Sequence, residues 1–143
     1  MSLLVDTANL FYCVKKRHGD SARVDYTKYL EQVGDNHETR IAYVTKPDAK
    51  AIHFIKYLES LGFATRVKEP KTIGPNIRQT NWNVELTIDA LQCTDNLVIG
   101  SSDIHLLPLI KFCPSKVHVF AAGIPRVFKQ HATVKEIGKK LLQ

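Results

Sequence analysis

Five short apolar runs, at residues 3–5, 41–44, 64–67, 97–99 and 117–121, are separated by longer stretches with helical spacing. Strand-length runs that alternate with helices pair side by side in a parallel sheet whose faces the helices cover. The chain is therefore expected to fold as an α/β domain, with a parallel sheet of about five strands flanked by helices. Its 143 residues suffice for one core and fall short of two, so residues 1–143 are expected to form a single domain.

Between the second and third runs, Pro47 and Asp48 open a segment in which Ile52, Ile55, Leu58 and Leu61 recur at helical spacing until Gly62 stops it. Residues 26–33 and 134–142 read as further helices, the latter with Lys139 and Lys140 near its negative dipole end. Residues 68–80 hold Pro70, Gly74 and Pro75, show no apolar period, and read as a loop.

Several function classes drop out. No window approaches the roughly 18 apolar residues of a membrane span, and the opening MSLLVD has no signal-peptide pattern, so a cytoplasmic protein is expected. Cys13, Cys93 and Cys113 are odd in number and far apart, which leaves no disulfide framework and no C-x-x-C motif. The six histidines have no zinc spacing, and no G-x-S-x-G, P-loop or dinucleotide fingerprint occurs. Twenty Lys and Arg against fourteen Asp and Glu give a formal charge of +6, which favours polyanionic partners.

Against that basic background the acids are placed selectively. Asp6 ends the first strand and begins D-T-A-N, which also contains Asn9. Asp6 or Thr7 capping a helix is the plain account of this motif, and a metal or substrate site is the other. In NWNVELTIDALQC, Glu85 and Asp89 lie four residues apart and so share one face of an otherwise apolar helix. Like charges at this spacing cost about 0.2–0.5 kcal/mol when exposed, a cost relieved by solvation on an outer face or by a bound cation. In LVIGSSDIHLLPLI a strand runs into Ser102 and Asp103, and Pro108, tolerated only in a first helical turn, sets the helix start near Ile104 or His105. Asp103 is thereby left in the strand-to-helix turn. In a parallel α/β sheet such turns gather at the carboxyl ends of the strands, where ligands bind. Oxygen-only carboxylate clusters suit Mg2+ or Mn2+, ions that activate water and stabilise charge on a phosphoryl group, so the chemistry implied is phosphodiester hydrolysis.

The three motifs, in this order and chain length, resemble an NYN domain of the PIN-like nuclease superfamily. That family's D-x-x-N is matched by Asp6 and Asn9. Its V-D-x-x-L-x-x-D-A-L is matched by VELTIDAL, with Glu85 at the first acid and Asp89 at the second. Its S-G-D-x-D-F-x-P-L, anchored on Pro108 and Leu109, puts Asp103 at the first acid, His105 at the second and Leu106 at the Phe. The resemblance implies a metal-dependent ribonuclease with Asp6, Glu85, Asp89 and Asp103 as catalytic residues. Asp6, Asp89 and Asp103 would be the metal ligands, and Asn9, Ser102 and His105 would support them.

Replacing an acid by His105, and an Asp by Glu85, favours as the alternative a nucleic-acid-binding or protein-interaction module with a weakened site. A nuclease acting on DNA is the third possibility, and a homo-oligomer stays open. For contact with RNA the candidates are Lys15, Lys16 and Arg17; Lys68, Lys71 and Arg78 around the loop; Arg126 and Lys129; and Trp82 as a surface on which a base could stack.

Overall fold

The computed structural model describes residues 1–34, 38–46, 49, 51–72, 74–75, 78–79 and 81–143, with residues 71–72 and 78–79 in backbone only. The elements in chain order are β1 (Ser2–Asp6), α1 (Thr7–His18), α2 (Tyr26–Val33), β2 (Thr39–Thr45), α3 (Ala51–Ser60), β3 (Ala64–Lys68), β4 (Lys71–Thr72) and β5 (Arg78–Gln79). There follow α4 (Asn83–Leu91), β6 (Leu97–Gly100), α5 (Leu107–Phe112), β7 (Val117–Ala121) and β8 (Thr133–Glu136), with 3-10 turns at Ile104–Leu106, Arg126–Gln130 and Lys139–Leu141.

Six parallel strands form the main sheet in the order β3-β2-β1-β6-β7-β8. The inner strands β1 and β6 are buried along their whole length and β7 over most of it, because helices cover both faces of the sheet; such strands read as continuous apolar runs. Right-handed crossovers put α2 and α3 on one face and α4 and α5 on the other. On the first face Tyr26 and Tyr29 of α2 meet Phe54, Phe63 and Phe120, and the Tyr29 and Phe120 rings stack at 4.5 Å.

Helix α1 has a different course. It starts where Thr7 Oγ1 donates to the Tyr43 carbonyl (2.8 Å), and it ends with His18 Nε2 3.3 Å from the Ile137 carbonyl and Arg17 3.9 Å from Glu136. Twelve residues span about 18 Å, and the three strand spacings from β1 to β8 span about 14 Å, so α1 lies across the carboxyl edge of the sheet.

Gly100 marks the closest approach between α2 and the sheet. A Cβ there would lie 2.8 Å from the Tyr29 hydroxyl and 3.1 Å from Val5 Cγ2. Tyr29 cannot withdraw, because its hydroxyl donates to the Phe120 carbonyl at 2.8 Å and its ring is stacked. Gly100→Ala is expected to cost about 1–3 kcal/mol by overpacking and to lower the thermal midpoint by several degrees. An unchanged melting curve would contradict this account of the close approach.

Two sequence expectations need correction. Residues 134–142 are not a helix. Thr133 and Val134 are β-branched, the open edge of β7 offers them a ladder, and β8 forms there, supplying the sixth strand before Gly138 and a short 3-10 turn. Residues 68–80 are not wholly irregular: β4 and β5 pair antiparallel, Lys71 with Gln79 and Thr72 with Arg78, around the Gly74 turn. Along α4, Val84, Ile88 and Leu91 are exposed in one stripe while Leu86 and Ala90 face the core. The expected helix start at Pro47 and Asp48 lies outside the described residues, and α3 ends before Gly62, whose φ is +88°. No helix among the described residues is long and apolar enough to cross a membrane, and the three cysteines are free thiols.

Candidate active site

Asp6 is both the last residue of β1 and the cap of α1. Its carboxylate accepts the Asn9 backbone N–H at 3.1 Å, so the capping role and a place in the cleft coincide. The residue is only 5% exposed. Burial pushes its carboxyl up to about 6, the Asn9 N–H opposes that rise, and the nearby charge of Asp103 adds to it.

Because β1 and β6 are neighbours in register, with Val5 opposite Gly100, the turn after β6 comes up beside Asp6. Asn9 fastens the two together. Its Oδ1 accepts the Ser102 backbone N–H at 2.9 Å and the Ser102 hydroxyl at 3.3 Å, while Cys13 Sγ lies 3.3 Å from that hydroxyl. Asp103 Oδ1 accepts the His105 N–H and lies 2.9 Å from His105 Nδ1; its Oδ2 accepts the Asn83 side-chain amide at 3.0 Å. Burial alone would raise the Asp103 carboxyl, but the Asn83 and His105 contacts outweigh it and hold the group below the usual range. The helix start expected from Pro108 is a 3-10 turn at Ile104 followed by α5, with the proline in its first turn.

Glu85 and Asp89 do share one face of α4, and that face meets the basic side of β3. Asp89 accepts two hydrogen bonds from the Arg66 guanidinium, both 2.8 Å, and a third from the Tyr43 hydroxyl at 2.7 Å. Glu85 lies 3.0 Å from Lys68 Nζ, which also donates to the Asn81 carbonyl and lies 4.2 Å from the centre of the Trp82 ring. The match is geometric, since four residues of helix rise about 6 Å and two residues of strand span about 6.7 Å. The repulsion between the two acids is therefore relieved by Arg66 and Lys68, in place of a solvated stripe. Burial opposes ionisation of Glu85, and the Lys68 contact overcomes it, so its carboxyl is lowered. Burial and the Asp89 hydrogen bond push the Tyr43 phenol far up.

Asp6 and Asp103 are thus brought together, with Asn9 and Ser102 between them and His105 against Asp103. Glu85 comes near through Lys68, whose charge also acts on Asp6. Asp89 has both oxygens engaged elsewhere. Trp82 is no stacking surface: it is 3% exposed, packed on Tyr43 and covered by Lys68, because an aromatic at the start of α4 closes the core. Lys15, Lys16 and Arg17 lie along the outer part of α1. Lys71 and Arg78 lie in the β4–β5 ribbon, with side chains outside the described residues. Arg126 is exposed; Lys129 shares a concavity with Lys116, Val117 and Thr133, at the amino end of the sheet and away from the acids.

The residue that sequence reasoning missed is Asn83. Its amide nitrogen supports Asp103, while its Oδ1 is buried without a hydrogen-bond partner. The polar N-W-N run before α4 was the available signal. Among the described residues no three Asp, Glu, His or Cys side chains are gathered as ligands of one ion. The two carboxylates offer only oxygen donors, and Asn83, bonded to one of them, has an amide oxygen without a partner; oxygen donors of this kind fit a hard divalent cation held by few protein ligands and completed by water.

A family model described as NYN domain matches residues 1–136. The crystal structure of a protein of unknown function from Vibrio parahaemolyticus has the same fold, with a TM-score of 0.86, 20% identity, and coverage of 99% of this chain and 94% of that one. None of the curated proteins matches the chain.

Proposed function

Because this chain belongs to the NYN domain family, a PIN-like and generally nuclease-like group, we propose that it is a single-domain, cytoplasmic ribonuclease dependent on Mg2+ or Mn2+. The observation that carries this reading is the pairing of a buried, unbridged Asp6 with Asp103 at the carboxyl edge. Asp6 and Asp103 would hold the cation, with Asn83 bracing Asp103. When bound, the cation supplies an acidified water and neutralises charge on the phosphodiester.

The side chains have separate tasks. Asp6 and Asp103 would serve a bound cation as ionised ligands, the charge of the cation opposing the rise that burial alone gives the Asp6 carboxyl. Lys68 offers a positive charge to the phosphate, and Glu85 can orient water once Lys68 turns to the substrate. Asn9 and Ser102 hold the two acidic turns at fixed separation. Asp89 joins the ligand set only if Arg66 releases it.

The engagement of Glu85 and Asp89 by Lys68 and Arg66 favours a second reading, a nucleic-acid-binding or protein-interaction module with a weakened site. The apolar stripe of α4 offers a surface for a homo-oligomer or a protein partner. Incubation with unpaired and duplex RNA and DNA, in Mg2+, Mn2+ or a chelator, separates these readings. Cleavage that needs metal and favours RNA is the expected result. Binding without cleavage in any metal selects the module, and equal or better cleavage of DNA shifts the substrate class.

A further inference from the structure

We propose that the exposed ring of Tyr12 is a stacking platform that selects single-stranded nucleic acid for the acidic cleft; this rests on the nuclease reading above. The placement comes from α1. Asn9, Tyr12, Cys13 and Lys16 are spaced i, i+3, i+4 and i+7, so they form one ridge of that helix. Asn9 and Cys13 are both bonded to Ser102, the neighbour of Asp103, so the ridge begins at the acidic turn. Tyr12 lies three residues further, about 4.5 Å along the axis, which places its ring one or two nucleotides from a phosphate held at Asp6 and Asp103.

The surroundings of the ring fit a base. Tyr12 is 67% exposed, and beside it the partly exposed Phe11 ring meets it edge to face at 5.4 Å and 80°, so at most one of its faces is taken. Two cations attend the Phe11 ring, Arg23 4.7 Å and Lys15 5.9 Å from its centre. Helix α1 carries Lys15, Lys16, Arg17 and His18 in its last turn and no acid anywhere. A single exposed aromatic is ordinary. Two adjoining rings on an acid-free basic helix, one turn from paired carboxylates, form an aromatic-cationic track of the kind that binds unpaired strands. Bases inside a duplex stack on one another and leave no face for the ring, so Tyr12 discriminates by strandedness and not by sugar.

The test uses the full chain with a chelator, titrated with an unpaired ten-nucleotide RNA, its DNA equivalent, and the duplex of each, for wild type, Tyr12→Ala, Tyr12→Phe and Lys16→Ala. Tyr12→Ala should weaken binding of both unpaired strands roughly tenfold, the effect of losing one base–aromatic stack, and leave duplex binding unchanged. Tyr12→Phe should restore wild-type binding. Lys16→Ala should reduce the salt slope by about 1, whereas Tyr12→Ala keeps the slope. Equal binding of unpaired strands by wild type and Tyr12→Ala overturns the platform while metal-dependent cleavage by the wild type upholds the nuclease reading. A wild type that neither binds nor cleaves any of the four overturns both.

Discussion

Asp103→Asn is expected to lower metal-dependent RNA cleavage at least about a hundredfold, roughly 3 kcal/mol of barrier, while the fold survives. The two consequences separate because the side chain has two tasks. As the cap of the 3-10 turn it accepts the His105 N–H, and an asparagine oxygen caps almost equally well. As a charge it belongs to the proposed cation site beside Asp6, and asparagine would not replace it there. Removing that negative charge also reduces repulsion toward phosphate, so RNA affinity in chelator should hold or rise. Cleavage, affinity and thermal unfolding of both proteins decide the matter. Cleavage by the variant near the wild-type rate, or cleavage that persists in chelator, would remove Asp103 from the mechanism.

Asp6→Asn should abolish cleavage and stabilise the metal-free protein, two opposite effects from one atom exchange. Burial raises the Asp6 carboxyl from 3.8 to about 6, so folding favours its protonated form. Stability from this group is complete below pH 4 and is lost as pH rises through 6, an amount of about 3 kcal/mol. The wild type in chelator should therefore lose stability across that window, and Asp6→Asn, which keeps an acceptor for the Asn9 N–H, should not. Denaturant unfolding at unit steps from pH 4 to 8 measures the difference. Parallel pH profiles for the two proteins would show that Asp6 is not the titrating group.

The legible part of this fold is the part governed by burial. Residues 97–99 and 117–121 announce themselves because both faces of β6 and β7 are covered, leaving no polar alternation to confuse the pattern. β8 fails the same test for the opposite reason: as an exposed edge strand it has Val134 as its one apolar residue, and the Val134, Ile137 and Leu141 spacing imitates a helix. Asp6 and Asp103 could be located from strand ends and from Pro108, which are local signals. The partners of Glu85 and Asp89 could not, because the match of a helical step of four to a strand step of two arises only when α4 and β3 meet. The alternation of Arg66 and Lys68 hinted at it. Trp82 and Asn83 were ambiguous for a related reason: which side of α4 faces the core is decided by Tyr43 and Asp103, both far away in sequence.

The sheet is finished on both sides by charged strands, Arg66 and Lys68 on β3 and Lys135 and Glu136 on β8, whereas β6 and β7 between them carry no Asp, Glu, Lys or Arg. An unpaired strand edge is a template for any other extended chain, and a second molecule docking there would have to strip water from these charged groups. The charges on the two edge strands thus guard against runaway strand addition and the fibrous aggregates it seeds.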